Sequence, residues 1–235
     1  MSGRVYPMPR LYRGTILRRY QRFLADVQLA RGGIITAHCP NTGAMTACWK
    51  PGAPAQLSRS ENPGRKFPYT LERVDMGGGW IGVNTVRVNH IIAHALTHGR
   101  IPQLAGYREM RREVVFHSPG MAPARFDFCL RGKNRADAFV EVKNATLLVG
   151  DSVQFPDAVT GRGRKHLQLL MRARKLGRRA VVLFAVNRPE GGHFTPARAI
   201  DPEYADTLEQ AAAMGVEIIA LRLRHTARGV ECVSR

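Results

Sequence analysis

The chain has 235 residues, 44% of them hydrophobic and 23% charged, which is enough to bury one large core or two small ones and too apolar for a disordered chain. No apolar run approaches membrane-spanning length, and the N-terminal MSGRVYPMPRLYRG lacks an apolar signal core, so the expectation is a cytoplasmic protein with no membrane partner. Lys and Arg number 36 against 18 Asp and Glu, a net charge of +18, and such an excess points to an anionic partner, nucleic acid first.

The first 84 residues read as short strands joined by turns, a domain 1–84. RFLADVQL alternates in polarity, and the turn ARGG leads into IITAHC as a hairpin. TACW and AQLSRS flank Lys50-Pro51-Gly52; YTLERVDM and WIGV flank Gly77-Gly78-Gly79. Five or so such strands without a long helix predict a small barrel of OB type.

From residue 85 to 235 the rhythm becomes α/β. NTVRVNHIIAHALTHG carries an apolar stripe (Ile91, Ile92, Ala95, Leu96) and a stop at Gly99, and so predicts a helix. Strands are predicted at REVVFH, RFDFCL and AFVEVK, and a second helix through GRKHLQLLMRARKLG. RRAVVLFAVN reads as a strand covered on both faces. DPEYADTLEQAAAMG opens with an Asp-Pro cap, and VEIIALRLR closes the chain as a strand. The predicted order is αβββαβαβ, a sandwich following the barrel.

The stretch ADAFVEVKNATLL places Glu141 and Lys143 on one strand face, with Ala138, Val140 and Val142 on the other. If Phe126, Phe128 and Leu130 share the core with that apolar set, the register parity of the hairpin is fixed. A register symmetric about Asn134 puts Asp127 opposite Glu141 and Arg125 opposite Lys143. Opposed carboxylates repel unless one is protonated, a base lies between them, or a divalent cation bridges them. Mg²⁺ or Mn²⁺ suits such a pair, since a hard cation is held by one or two carboxylates plus water and phosphate. Glu113, on the preceding strand, is a candidate third acid. The expected chemistry is phosphodiester hydrolysis, with Asp127 and Glu141 holding the metal and Lys143 as a fixed cation. Taken alone, an E-x-K pair on a strand also describes a solvated face with a weak ion pair.

RFDF…VEVKN resembles the D…(D/E)xK signature of the PD-(D/E)xK nuclease superfamily and its αβββαβ core. Over nearly the whole chain, HCPNTGAM, SENPGRKFPYT, WIGVNT, ARFDF, VEVKNATL, FPDAVTGRGRKHLQLL and GVEIIA resemble, in order, the sugar fermentation stimulation protein A family. That resemblance implies an OB-like N-terminal domain and a PD-(D/E)xK nuclease-like C-terminal domain. It also implies DNA binding and a link to regulation of sugar (maltose) metabolism. Asp127, Glu141 and Lys143 match the superfamily's catalytic positions, with Glu113 as accessory acid. A further acid is implied on the first helix, where this chain carries His94.

Several other groups are candidates. Arg162, Arg164, Lys165 and His166 cluster at the start of the second helix. Cations there oppose the helix dipole, so a phosphate seat is one reading and a solvated basic turn the other. Arg125 joins them as a candidate nucleic-acid contact. His90, His94 and His98 recur every four residues and suggest either a polar face or a transition-metal site. His38 and Cys39 form a conceivable nucleophile pair inside what reads first as turn chemistry. Trp49 and Trp80 read as barrel core or as base-stacking platforms. The four cysteines form no CxxC pair, which excludes a zinc ribbon and predicts inert thiols. The functional expectation is a DNA-binding protein with a Mg²⁺-dependent nuclease-type site. The alternative is a DNA-binding regulator that keeps the acids without turnover. RNA as substrate and homo-oligomerisation stay open.

Overall fold

The computed structural model describes residues 5–233, the side chain of Met121 excepted. In chain order the strands and helices are β1 (Val5–Tyr6), β2 (Leu11–Tyr20), β3 (Leu24–Leu29), β4 (Ile34–His38), β5 (Pro54–Arg59), β6 (Tyr69–Asp75) and β7 (Trp80–Gly82). They continue as α1 (Thr85–Thr97), β8 (Glu109–Ser118), β9 (Met121–Gly132), β10 (Arg135–Ala145), β11 (Leu147–Val149), β12 (Ser152–Phe155) and α2 (Gly161–Lys175). The rest is β13 (Arg179–Val186), β14 (His193–Pro196), α3 (Pro202–Ala213), β15 (Glu217–His225) and β16 (Val230–Val233). Among the described residues no helix is long and apolar enough to cross a membrane.

Strands β2–β7 form one sheet in the order β4-β3-β2-β5-β6-β7, closed into an OB-like barrel by the pairing of His38 with Thr70. Its core holds Ile16, Val27, Leu57, Leu71 and Ile81. The longest strand of the barrel, β2, is absent from the sequence expectation because LYRGTILRRY carries three arginines and a glycine. Gly14 is required there: a Cβ would lie 2.6 Å from Val27 and 2.7 Å from the Gln28 carbonyl oxygen of the paired strand. TACW, expected as a strand, is a turn, with Cys48 and Met45 packed inward.

The second sheet has the order β1-β16-β15-β13-β10-β9-β8. Its first strand, Val5–Tyr6, pairs with β16 and not with the barrel, so the chain touches the C-terminal sheet before it builds the N-terminal one. β10, β13 and β15 run parallel, linked through α2 and α3, as parallel neighbours require. Nearly every residue of β13 is buried. Val181, Leu183 and Ala185 face the α1 side, whereas Val182, Phe184 and Val186 face α2 and α3, as the continuous apolar run predicted. A small sheet of β11, β12 and β14 flanks this layer.

The two sheets are tied by satisfied polar groups. Asn187, just beyond β13, accepts from the Gly82 N–H at 2.9 Å through its main-chain oxygen and donates to the Gly82 carbonyl at 3.0 Å through its side chain. Glu72 of β6 is fully buried and takes a forked pair of bonds from Arg87 of α1, at 2.7 and 3.1 Å, plus one each from Ser58 and Asn84.

Candidate functional site: a carboxylate pair in a cavity between the two sheets

The β9–β10 ladder pairs Ala138 with Leu130 and Val140 with Phe128. That is the register centred on Asn134, and it would next pair Glu141 with Asp127. Pairing stops there. The Asp127 carboxylate instead accepts the Val142 N–H at 2.7 Å through Oδ2 and the Asn89 amide of α1 at 2.7 Å through Oδ1. On the other side of β9, the ladder passes from Arg112–Phe128 to Val114–Phe126 and skips Glu113 and Asp127. Glu113 has φ 52, left-handed backbone on a residue with a side chain, a conformation concentrated at functional sites.

This break corrects one expectation. Phe128 and Leu130 face the α1 core, but Phe126 lies in the opposite core with Phe116 and Phe139. Strict alternation fails where the ladder is interrupted.

Asp127, Glu141 and Lys143 line one cavity of about 620 Å³. Lys143 Nζ donates to Glu141 Oε1 at 2.6 Å, and His166 Nδ1 donates to the same oxygen at 2.5 Å. A carboxylate only accepts, so the His166 proton sits on Nδ1. Glu141 Oε2 is buried with no hydrogen-bond partner among the described residues. Burial by itself would raise the Glu141 pKa, but Lys143 and His166 outweigh it and hold the carboxyl below its ordinary range. Asp127 goes the other way. Loss of solvent, then the Glu141 charge, push it up to about 6, against the opposing pull of the Val142 N–H, Asn89 and Lys143.

The remaining predicted residues divide. Arg125 and Arg162 lie exposed on the rim of this cavity. Glu113 also lines it but is largely exposed and stands 3.8 Å from Arg125. Arg164 is turned to Asp201 at 3.0 Å and Glu203 at 2.8 Å, and Lys165 is exposed and lines no part of the cavity. His166 is buried against Glu141, not displayed to solvent. His94 stacks with His98, rings 4.1 Å apart, and meets Tyr6 edge-on. It is not in the cavity wall, so the implied first-helix acid has no counterpart at that position. Among the described residues no group of three or more His, Cys, Asp and Glu side chains converges to hold a metal. That disposes of the His90/His94/His98 site. Cys39 is buried, which raises its thiol pKa and leaves no activated nucleophile beside His38.

Sequence reasoning missed Asn89, which orients Asp127, and the contact of His166 with Glu141. The second was legible: His166 lies next to Leu167 and four residues before Leu170, on the buried stripe of α2. It also missed the barrel's contribution. Asn41, Thr42 and Gly43 form part of the cavity wall, and Asp157 accepts the Met45 N–H at 2.9 Å across the gap. A Cβ on Gly43 would fall within 2.6 Å of both Asp157 carboxylate oxygens, so this seam admits only glycine without rearrangement.

The residues fit a hard divalent cation. Asp127 keeps free lone pairs, and Glu141 presents an unpartnered oxygen beside it. Two carboxylates suffice where water and phosphate complete the shell.

The family model described as the SfsA N-terminal OB domain matches residues 17–83, and the one described as the sugar fermentation stimulation protein RE domain matches residues 86–229. The chain belongs to the sugar fermentation stimulation protein family. The sugar fermentation stimulation protein homolog of Geotalea uraniireducens (strain Rf4) is 46% identical over 229 residues, covering 97% of this chain and 96% of that protein. The homolog of Magnetococcus marinus (strain ATCC BAA-1437 / JCM 17883 / MC-1) is 48% identical over 214 residues, 91% of this chain and 90% of the other. Pyrococcus furiosus SfsA, solved in complex with Ca²⁺, superposes with a TM-score of 0.86 at 27% identity, covering 99% of this chain and 96% of that one. Membership in the family thus spans both the barrel and the domain that carries the acids.

Proposed function

We propose that the protein binds DNA and hydrolyses its phosphodiester backbone with Mg²⁺ or Mn²⁺ held by Asp127 and Glu141. The observation that carries this is the unpartnered, buried Glu141 Oε2 beside an Asp127 carboxyl driven up to about 6. A fold gains nothing from that arrangement, and a cation relieves it. The Ca²⁺ bound by the Pyrococcus furiosus relative supports a hard cation in this family.

Bound there, the metal supplies Lewis acidity and offsets charge developing on the phosphate oxygens. Lys143 places an ammonium on the same side. His166 fixes the Glu141 carboxylate through Oε1, so that Oε2 faces its ligand, and Asn89 does the same for Asp127. Arg125 and Arg162, on the rim, hold the flanking phosphates and set register without reading sequence. Glu113 stands outside this inner pair, within reach of Arg125.

A second reading is a DNA-binding regulator of sugar (maltose) metabolism genes that retains the acids without turnover. It is favoured by one observation: among the described residues no third ligating side chain joins the two carboxylates. Incubation of plasmid, linear and single-stranded DNA with Mg²⁺ or Mn²⁺ separates the two. Cleavage by the wild type, lost in Glu141→Ala and Lys143→Ala with DNA affinity kept, supports hydrolysis. Salt-sensitive binding without cleavage in any condition favours the regulator. Mg²⁺ at about a hundred times its Kd should also stabilise the wild type by about 2.7 kcal/mol, seen as a raised melting temperature. Glu141→Gln should abolish that rise.

A further inference from the structure

A second cleft, of about 370 Å³, opens between the barrel and the start of α1. Its walls include His38 of β4, Arg59 of β5 and Arg65 of the β5–β6 connection, and it shares Val86 and His90 of α1 with the cavity that holds Asp127 and Glu141. We propose that this cleft is a phosphate subsite, and that a single DNA strand whose backbone lies at Asp127 and Glu141 continues across Val86 to place a neighbouring phosphate against Arg65 and Arg59. The inference rests on the DNA-binding reading above and extends it onto the barrel.

The charges explain why the ligand is anionic. The acid in the cleft wall, Glu72, is consumed: both its oxygens are taken by Arg87, Ser58 and Asn84. Arg65 has only neutral partners, donating through one terminal nitrogen to Thr70 Oγ1 at 2.8 Å and to His38 Nδ1 at 3.2 Å. Its Nη1 and Nε have no partner among the described residues. Because a guanidinium can only donate, His38 accepts at Nδ1 and carries its proton on Nε2. Burial first, then the Arg65 charge, keep that ring neutral. The pair therefore fixes the Arg65 head without quenching it, and a preorganised fork suits a phosphate's oxygens. Arg59 lies exposed, its guanidinium 5.9 Å from the Tyr69 ring centroid.

The path between the two cavities is also suited to a nucleic acid strand. Val86, on the shared ridge, is 59% exposed although apolar. A sugar or base edge passing over it would cover that surface, while His90 flanks the same step. The barrel stands on one side of the cleft and α1 on the other, an arrangement consistent with the general use of OB barrels for oligonucleotides.

The test is fluorescence anisotropy with a labelled single-stranded dodecamer in EDTA, where no metal-dependent cleavage interferes. It compares wild type with Arg65→Gln, Arg59→Gln, Arg162→Gln and Arg172→Gln. Arg172 is exposed on α2 and lines neither cavity, so it reports the effect of removing any surface charge. Arg65→Gln is expected to weaken binding about tenfold at low salt and to lower the slope of log K on log salt by about 0.7. Arg59→Gln, which disturbs no hydrogen bond of the barrel, should act in the same direction. Arg172→Gln should change little. If Arg162→Gln weakens binding but Arg65→Gln and Arg59→Gln do not, the subsite is wrong and the DNA-binding reading stands. Equal losses in Arg65→Gln and Arg172→Gln also overturn it, leaving only diffuse charge. A wild type that binds no dodecamer overturns both readings together.

Discussion

Two buried glutamates, Glu72 and Glu141, lie on the same molecule and are treated in opposite ways. Glu72 receives two donors on each oxygen: Ser58 and Arg87 on Oε1, Asn84 and Arg87 on Oε2. Glu141 receives both of its donors on Oε1 and, among the described residues, nothing on Oε2, with a second carboxylate beside it. The first is how a fold buries a charge when stability is all that matters. The second leaves a buried acceptor unmatched, which costs stability unless a ligand completes it. The difference is why the proposed metal site rests on Glu141, whereas Glu72 joins the barrel to α1.

The sharpest way to break that comparison is to neutralise each acid in turn. Glu72→Gln removes the counter-charge of a half-buried Arg87 and should cost about 3 kcal/mol in denaturant unfolding. Glu141→Gln, measured without divalent metal, loses the attraction of Lys143 and His166 but also relieves the strain on Asp127. Its cost should be about 1 kcal/mol or less. Equal costs would mean that the two acids are held alike, and that the unmatched oxygen signals nothing.

The pH dependence sharpens it further. Asp127 titrates near 6 when folded and near its ordinary 3.8 when unfolded, so between those values the folded state binds the extra proton. Stability contributed by this group is therefore greatest below about 3.8 and falls as pH rises through 6, by on the order of 3 kcal/mol. His225 has the reverse sign. Burial first, then Arg73, lower it to about 3, so its contribution is present above about 6.5 and is lost as pH drops toward 3. The two overlap, and the Asp127 term is read as the difference between wild type and Asp127→Asn. That difference should grow from pH 4 to pH 6 in favour of the variant. A flat difference would remove the carboxylate coupling from the site.

What could be read in the sequence follows from where side chains alternate regularly. The inward sets Phe128/Leu130 and Ala138/Val140 fix the parity of the hairpin, and the symmetric loop fixes its centre, so Asp127 and Glu141 could be brought together before any coordinates. The barrel was legible from its turns, and β13 from its unbroken apolar run. The ladder break was not. Nothing in the type of residue Glu113 announces a left-handed backbone, so regular alternation alone puts Phe126 on the face of Phe128, opposite to where it lies. The strand β2 hid behind its arginines, two of which, Arg13 and Arg18, are exposed. Nor did local sequence show that HCPNTGAM would reach the acids, because Gly43 and Asp157 meet only through the packing of one domain on the other.

The basic start of α2 supplies the smallest effect and the cleanest division. From sequence, Arg162 and Arg164 are equivalent cations on one helical turn. The fold separates them: Arg162 projects to the cavity rim, whereas Arg164 bridges the buried Asp201 to Glu203. Asp201 caps α3 through the Tyr204 N–H and also accepts the Thr160 N–H, so Arg164 ties the start of α2 to the start of α3. Arg164→Gln should cost about 1 kcal/mol of stability, because Asp201 keeps its two backbone donors, and should leave DNA affinity unchanged. Arg162→Gln should do the opposite, lowering affinity and the salt slope with no change in melting temperature. If both variants weaken DNA binding to the same degree, the helix start acts as one undivided patch of charge, and the distinction between joint and site fails at the point where the two lie closest in sequence.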